Sequence, residues 1–362
     1  MSGLADATGT AAGRTTGGHG DPAAARLLAG AARAVDAPDL VLAVSRDQVR
    51  TVHTGGSAAP GPVPRERLLY ELGSASKPFA GLLLARLVAQ GRVRYEDRAA
   101  DLLAPGLPVH PAVRRITLRH LLTHTSGLPG LPADFYPRAV PRWTTDPYGG
   151  YTADRVVRAF LKARPRHRPG ARWHYSNFAV SVLGHTLAAA TGTPWEVLLH
   201  QQVLAPLRLA GTRVRPGPEG ADAVGHHRDG TPVPALDTGG FTAAGAVRSS
   251  PLDLLTFLEA HLGGARRPDS PVDATLATAL ADVTRPVLRR GWRHAHTHTL
   301  TWFWHPSPYG PVLFHAGATM GQQAFLGLRP DSGLAVAATA TRRVRWGDTF
   351  VSTAYGLLTG TP

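Results

Sequence analysis

The chain has 362 residues, of which 43% are hydrophobic, so we expect a sizeable core and neither a mini-protein nor a mostly disordered chain. It contains no cysteine, which excludes a disulfide framework, a thiolate metal site and a cysteine nucleophile. The formal net charge is +14, but the arginines are scattered and no nucleic-acid motif is present, so we predict no nucleic-acid partner.

Residues 1–22 are rich in Gly, Ala, Thr and Ser and contain no apolar run, and we predict a disordered tail there. The segment lacks the apolar stretch of about 7 to 15 residues that a signal peptide needs. The apolar run at residues 40–44 is far too short to cross a bilayer. We therefore expect a cytoplasmic protein with no membrane partner.

Strand patterns lie at both ends of the sequence. A β-hairpin is predicted at residues 40–54, a short strand at 68–72, and a buried helix, apolar on almost every side, at 79–89. The middle is predicted to be helical at residues 117–123, 152–163, 177–191, 195–203, 251–262 and 274–283. Further strands are predicted at residues 300–304, 312–315, 323–328 and 334–340, with a closing helix at 349–358.

This order predicts an α/β (α+β) fold, with one antiparallel sheet built from both ends of the chain, flanked by helices, and an inserted, mostly helical lobe. The predicted sheet domain comprises residues 23–100 and 285–362, and the helical domain comprises residues 101–284.

The most specific local motif is Gly73-Ser74-Ala75-Ser76-Lys77, directly before the buried helix. An S-x-x-K spacing lets the Lys77 amine reach the Ser74 hydroxyl, and Pro78 implies that the regular helix begins after Ser74. Lys can serve as a base if desolvation lowers its pKa, whereas Arg stays protonated. The structural alternative makes Ser74 an N-cap and Lys77 a surface charge.

Tyr175-Ser176-Asn177 precedes another apolar helix and contains the only Asn of the sequence. A tyrosine hydroxyl can share a proton with a lysine, and an asparagine amide can hold a substrate carbonyl and orient that lysine. The alternative is a packed tyrosine followed by a helix-capping Asn. At residues 315–318, His-Ala-Gly-Ala ends a predicted strand, where a backbone N–H could form an oxyanion hole and His315 could line a pocket or be structural.

Five segments in order, 74–77, 116–128, 169–177, 244–250 and 315–317, resemble the β-lactamase-related serine hydrolases. That family includes class C β-lactamases, D-alanyl-D-alanine carboxypeptidases, family VIII esterases and related acyltransferases. The resemblance extends from about residue 40 to the C-terminus and implies the β-lactamase/transpeptidase-like fold.

The resemblance also implies roles for the site residues. Ser74 would be the acylated nucleophile, and Lys77 and Tyr175 the general base and acid. Asn177, His315, Gly317 and Ala318 would bind substrate, and the backbone N–H groups of Ser74 and Ala318 would form the oxyanion hole.

The sequence departs from lactamase members of the family, because its third motif is His-Ala-Gly rather than Lys-Thr-Gly. The second lysine, which faces a substrate carboxylate, is therefore missing, and Arg342 or Arg343 could replace its charge. No cofactor is expected. His294, His296 and His298 alternate as metal ligands on a strand would, but no nearby carboxylate completes such a set, and we predict no metal.

We predict acyl transfer through a serine acyl-enzyme, on a small-molecule ester or amide. The enzyme would be an esterase or amidase that uses water, or a biosynthetic transacylase that uses an amine or alcohol acceptor. The alternatives are a β-lactamase or D-alanyl-D-alanine carboxypeptidase, and a non-catalytic binding protein on the same scaffold. The sequence indicates no oligomeric state.

Overall fold

The computed structural model of the chain describes residues 14–15, 21–263, 272–291 and 296–360. Most of the predicted N-terminal tail, residues 1–13 and 16–20, lies outside the described residues, as does His294. Within that tail, residues 14 and 15 form a short strand, and Pro22 already begins a helix.

The described residues contain one large antiparallel sheet of nine strands and two small sheets. In chain order the strands are β1 (Arg14–Thr15), β2 (Leu40–Arg46), β3 (Val49–Gly55), β4 (Tyr70–Glu71), β5 (Thr212–Arg213), β6 (Gly225–His226), β7 (Pro232–Val233), β8 (Arg248–Ser249), β9 (Leu288–Arg290), β10 (His296–His298), β11 (Phe303–His305), β12 (Val312–Ala318), β13 (Gln323–Arg329) and β14 (Leu334–Ala340). The large sheet has the order β1-β3-β2-β14-β13-β12-β11-β10-β9, and the small sheets are β4-β8-β5 and β6-β7.

The centre of the large sheet joins the two ends of the chain. Strands β2 and β3 form a hairpin whose two turn residues, Asp47 and Gln48, have φ angles of 49° and 70°, the left-handed conformation of a tight hairpin turn. Strand β2 then pairs along its whole length with β14, from Leu40 opposite Ala340 to Arg46 opposite Leu334. The early hairpin and the last strands therefore form one continuous sheet.

Thirteen α-helices occur in the described residues, and 3₁₀ and π turns extend several of them. They are α1 (Pro22–Ala32), α2 (Lys77–Ala89), α3 (Ala99–Leu103), α4 (Pro111–Arg114), α5 (Leu118–Leu122), α6 (Tyr136–Ala139), α7 (Ala153–Leu161), α8 (Asn177–Thr191), α9 (Trp195–Leu199), α10 (Thr242–Gly245), α11 (Pro251–His261), α12 (Ala274–Val283) and α13 (Phe350–Thr359).

Helices cover both faces of the sheet. On one face, α1 and α13 pack through Leu28 and Phe350 against residues such as Phe325. On the other face, α2 and α11 belong to a larger core that continues through α8 into the helical part of the chain. Because both faces are covered, every residue of β13 and β14 is buried, and most of their residues are apolar without the alternation of a half-exposed strand.

The predicted fold class is confirmed, including the sheet assembled from both ends of the chain. Helices α8 and α12 and strand β14 have the predicted bounds. Helix α1 and strands β9 and β10 were not predicted from the sequence patterns. The division into two domains stays a prediction. No helix among the described residues is long and apolar enough to span a membrane.

Candidate active site

Ser74 lies in a 3₁₀ turn, Gly73–Ser76, that leads directly into α2. Pro78 stands in the first turn of α2, where its missing N–H removes no helical hydrogen bond. The Ser76 hydroxyl accepts a hydrogen bond from the backbone N–H of Val247, at 3.0 Å, which ties the turn to the segment before β8. Ser74 itself helps to line a cavity.

Lys77 is buried at the first position of α2, with 1% of its surface exposed. Its Nζ lies 3.1 Å from Ser74 Oγ, 2.8 Å from Asn177 Oδ1 and 2.9 Å from the carbonyl oxygen of Ala244. Within the described part of the chain, no carboxylate pairs with it. Burial without a counter-ion lowers the pKa of Lys77 to about 7.

These three contacts suit an amine that gains and loses a proton. A lysine ammonium has three N–H donors, and here each one has an acceptor. A neutral amine has two N–H donors and one lone pair. It can keep its bonds to Asn177 and Ala244 and accept the Ser74 proton with the lone pair. The geometry therefore equips Lys77 to act as a base toward the Ser74 hydroxyl.

The Tyr175 ring lies beside the amine, with its centroid 4.8 Å from Lys77 Nζ. Burial raises the pKa of Tyr175, and a hydrogen bond with the Ser74 side chain opposes that rise only in part. The phenol thus stays protonated near neutral pH and can donate a proton, while the neutral amine beside it can accept one.

Asn177 is the first residue of α8 and is positioned by the cap of that helix. The Ser176 hydroxyl accepts from the N–H of Ala179, at 2.9 Å, and donates to the carbonyl of Pro129, at 2.6 Å. The Asn177 amide then presents its oxygen to Lys77 and its nitrogen, at 3.4 Å, to the hydroxyl of Tyr148. Ser176 is the helix cap, and Asn177 contacts the lysine.

The third predicted motif is the end of β12, which lies directly against the turn that carries Ser74. A Cβ atom at Gly317 would lie 2.0 Å from the Leu72 carbonyl oxygen and 2.8 Å from the Ser74 nitrogen. A Cβ atom at Gly73, whose φ is 50°, would lie 2.4 Å from the Ala318 carbonyl oxygen. Only glycine fits this approach, which puts the backbones of Ser74 and Ala318 side by side.

His315 does not line the cavity. Its side chain is 2% exposed, Nδ1 contacts the carbonyl of Ala316 at 2.9 Å, and its ring lies 5.3 Å from that of Phe303. Burial, and then the charge of Lys77, lowers the pKa of His315 to about 3. The imidazole is therefore neutral and does not substitute for a lysine charge.

The two candidate replacements for that charge are engaged elsewhere. Arg342 pairs with Asp36 at 3.3 Å and donates to the carbonyl of Arg228 at 3.0 Å. Arg343 reaches the carbonyl of Thr144 at 3.5 Å. Neither lines the cavity beside Ser74.

That cavity has a volume of about 50 Å³. Its lining includes Gly73, Ser74, Asn177, Gly245 and Ala318, together with four residues that the sequence analysis did not select: Tyr148, Leu236, Thr238 and Phe241. Of the predicted site residues, the structure therefore brings Ser74, Lys77, Tyr175, Asn177, Gly317 and Ala318 together. The four additional residues lie in loops and short helical turns outside the motifs, and no local pattern marks them.

The segment that contains His124 supports Tyr175. His124 is buried, its ring lies 4.5 Å from that of Tyr175, and its Nδ1 accepts the N–H of Ser176 at 3.2 Å. Burial lowers the pKa of His124 well below its usual value, and the charge of Lys77 adds to the effect. His124 also has a φ of 58°, a conformation unusual for a residue other than glycine.

Two of the three alternating histidines, His296 and His298, lie among the described residues, and their surroundings are not those of metal ligands. His298 accepts a hydrogen bond from Arg290 Nε at 2.8 Å and stacks on Trp173, over which the Arg290 guanidinium also lies. His296 is exposed. Among the described residues, no group of three or more His, Asp or Glu side chains could hold a metal ion.

Comparison with known proteins gives a match of residues 24–359 to the family model described as Beta-lactamase. A β-lactamase of Pseudomonas fluorescens is 26% identical over 309 residues, which cover 76% of this chain and 80% of that protein. The D-alanyl-D-alanine-carboxypeptidase/endopeptidase AmpH of Escherichia coli is 28% identical over 231 residues, which cover 62% of this chain and 58% of AmpH.

Solved structures share the fold. A class C β-lactamase from Rhodobacter sphaeroides superposes with a TM-score of 0.76 at 24% identity, covering 93% of this chain and 98% of that one. A β-lactamase/D-alanine carboxypeptidase from Pseudomonas syringae gives 0.76 at 22% identity, covering 92% and 97%. These likenesses extend over the sheet and the helices on both of its faces.

Proposed function

The chain belongs to the beta-lactamase family, and from that premise we propose that it is a serine-dependent acyl-transfer enzyme acting on a small-molecule ester or amide. The observation that carries the proposal is the buried Lys77 amine, 3.1 Å from Ser74 Oγ and with no carboxylate partner among the described residues. An amine so placed can activate a hydroxyl that is otherwise a poor nucleophile.

In the first step, Ser74 Oγ attacks the substrate carbonyl carbon while neutral Lys77 takes the hydroxyl proton. The negative oxygen of the tetrahedral intermediate is stabilised by the backbone N–H groups of Ser74 and Ala318. Collapse expels the leaving group, which receives a proton from the Tyr175 phenol, and Lys77 restores that proton to Tyr175. The product of this half-reaction is an ester of Ser74.

In the second step, an acceptor hydroxyl or amine attacks the acyl-enzyme and the proton moves in the reverse direction. Water as the acceptor gives an esterase or amidase, and a bound alcohol or amine gives a transacylase. Tyr148, Leu236 and Phe241 give the cavity a partly apolar wall, against which an organic acceptor could pack. A cytoplasmic location stays a prediction.

A second candidate is β-lactamase or D-alanyl-D-alanine carboxypeptidase activity, which the printed names of the two relatives favour. The neutral, buried His315 weighs against it, because the third motif then offers no cation to a substrate carboxylate. Turnover of nitrocefin at rates above those of 4-nitrophenyl butyrate would favour this second candidate.

The test uses a fluorophosphonate probe, with intact-mass detection, and hydrolysis of 4-nitrophenyl butyrate. The unchanged protein should gain one probe adduct, and Ser74→Ala should gain none and lose about 10⁴-fold or more in kcat. Ser76→Ala is the matched control. The Ser76 hydroxyl is bonded to the N–H of Val247 and should not react with the probe, so this variant should still be labelled at Ser74. Labelling that persists in Ser74→Ala contradicts the assignment. No labelling and no turnover of any ester by the unchanged protein would support a binding protein.

A further inference from the structure

A groove of about 1160 Å³ lies on the outer side of the helical region, beside the candidate active site. One wall is the segment that includes Pro129, Gly130 and Asp134, and the opposite wall is α7 with the residues that follow it. This volume could take a ligand of ordinary metabolite size.

Five cationic side chains line this groove: Arg155, Arg158, Lys162, Arg164 and Arg166. The first three are spaced at i, i+3 and i+7, which places them on one side of α7 and its C-terminal end. The other two flank Pro165, where the chain continues in a non-helical conformation. The local sequence therefore directs all five charges toward one groove.

Negative charge in the groove is sparse. Asp134 is the only carboxylate among the described lining residues, and its oxygen lies 4.0 Å from Arg155. The side chains of Arg158, Lys162, Arg164 and Arg166 have no ion pair within the described part of the chain. Some arginines outside the groove are paired, as Arg65 is with Asp39 and Arg215 is with Glu196, whereas exposed ones such as Arg92 and Arg98 form no ion pair with the described residues.

Unpaired like charges close together raise the free energy of the folded chain, and an anionic ligand would relieve that repulsion. Guanidinium groups bind phosphate and carboxylate oxygens in pairs of parallel hydrogen bonds, so a groove with several arginines suits a multiply charged anion better than a single carboxylate.

The groove adjoins the catalytic cluster through one residue. Tyr175 lines the groove, together with the neighbouring His174, and the ring of the same tyrosine lies 4.8 Å from Lys77 Nζ. Tyr175 therefore belongs to both the groove wall and the catalytic cluster, although the groove and the cavity beside Ser74 have no lining residue in common.

We propose that this basic groove binds the anionic part of the substrate, a phosphate or phosphonate group carrying at least two negative charges. The proposal rests on the proposed acyl-transfer function for the chemistry at Ser74, whereas the anion site itself is independent of it. The substrate would then be a phosphorylated small-molecule ester or amide.

The binding arm of the test titrates the full chain with inorganic tripolyphosphate by calorimetry. The double variant Arg158→Gln/Lys162→Gln removes two charges from the groove. The matched control, Arg92→Gln/Arg98→Gln, removes two exposed charges elsewhere. We expect one site per chain, weakened roughly tenfold in the groove variant and unchanged in the control. Circular dichroism melting of each variant verifies folding.

The activity arm compares two matched pairs of esters. The first pair is 4-nitrophenyl 4-phosphonobutyrate and 4-nitrophenyl butyrate, in which the phosphonate is on the acyl side. The second pair is 4-(phosphonomethyl)phenyl butyrate and 4-methylphenyl butyrate, in which the phosphonate is on the leaving-group side. In one pair, kcat/KM should be roughly tenfold higher for the anionic ester, and the groove variant alone should lose that preference.

No binding of tripolyphosphate, or equal weakening in both double variants, overturns the anion site. Binding without a preference for either anionic ester overturns the substrate assignment and leaves the groove as a site for free phosphate. If no ester is turned over but binding is weakened in the groove variant only, the acyl-transfer proposal fails and the anion site stands.

Discussion

The two lysines of this chain lie in two contrasting regions. Lys77 is enclosed at the start of α2, where three acceptors surround its amine and Ser74 lies at 3.1 Å. Lys162 is exposed at the end of α7, among the arginines of the basic groove. Burial makes the first amine easy to deprotonate, whereas exposure leaves the second as a hydrated point charge. The same residue type thus suits proton transfer in one region and anion binding in the other.

The two regions also differ in how closely their atoms are packed. The catalytic cluster is built where backbones touch, with Gly317 against Leu72 and the Ser74 turn, whereas the groove has open volume beside Gly130. We therefore expect substitutions that preserve charge or add one methyl group to act very differently in the two regions.

The sharpest test of the contrast is Lys77→Arg against Lys162→Arg. Arginine stays protonated, so Lys77→Arg keeps a cation but removes the base, and kcat/KM for 4-nitrophenyl butyrate should fall about 10³-fold. Lys162→Arg keeps its exposed charge and should leave this rate unchanged. Steady-state kinetics on both variants measure the difference. Nearly full activity in Lys77→Arg would remove Lys77 as the base and with it the distinction between the two lysines.

A smaller effect is expected from a glycine-to-alanine substitution, which adds one methyl group, in the catalytic cluster. In Gly317→Ala the new Cβ would meet backbone atoms of Leu72 and Ala75 at 2.0 and 2.4 Å, which forces β12 away from Ser74. We expect a loss of about 1 to 3 kcal/mol in the free energy of unfolding and of up to about 100-fold in kcat.

Gly130→Ala is the matched control in the groove, because its Cβ would meet only the Tyr175 carbonyl oxygen, at 3.6 Å. Urea unfolding and ester hydrolysis should give nearly unchanged values. If both alanine variants behave alike, the close approach of β12 to the Ser74 turn does not hold the site together.

The smallest expected effect is the pH dependence of the catalytic cluster. In the proposed mechanism the active form of Lys77 is the neutral amine, which predominates above its pKa of about 7. The value of kcat/KM should therefore rise roughly tenfold from pH 6 to pH 8 and then level off. Tyr175, whose pKa is raised by burial, should add no second step in that range. Lys162→Arg should show the same profile, and a rise centred above pH 9 would conflict with a desolvated base.

Local patterns were enough to predict much of this molecule. The continuous apolar run of β14 and the apolar helix after Asn177 could be read from the sequence, because covered strands and buried helices are apolar on all sides. The S-x-x-K spacing also predicts the approach of Lys77 to Ser74, because residues three apart share one face of a turn.

Other features depend on contacts that no local pattern encodes. Helix α1 is rich in alanine, like the tail before it, although burial of Leu28 fixes it against the sheet. Tyr148 and Phe241 reach the cavity only through packing of distant loops. The burial of His315 depends on its neighbours across the sheet, so the motif alone left it as either a pocket residue or a structural one, and only the family resemblance implied that it binds substrate.

The pairing of β2 with β14 has a consequence for the order in which the molecule can be completed during synthesis. The proposed nucleophile and its base lie within the first quarter of the sequence, but β12, which packs against them, comes much later. The same is true of β13 and β14, which connect β12 to the early hairpin. Contacts this distant in sequence form late and slowly. A growing chain therefore carries Ser74 and Lys77 before it carries Ala318, so the proposed oxyanion hole is among the last parts of the site that can form.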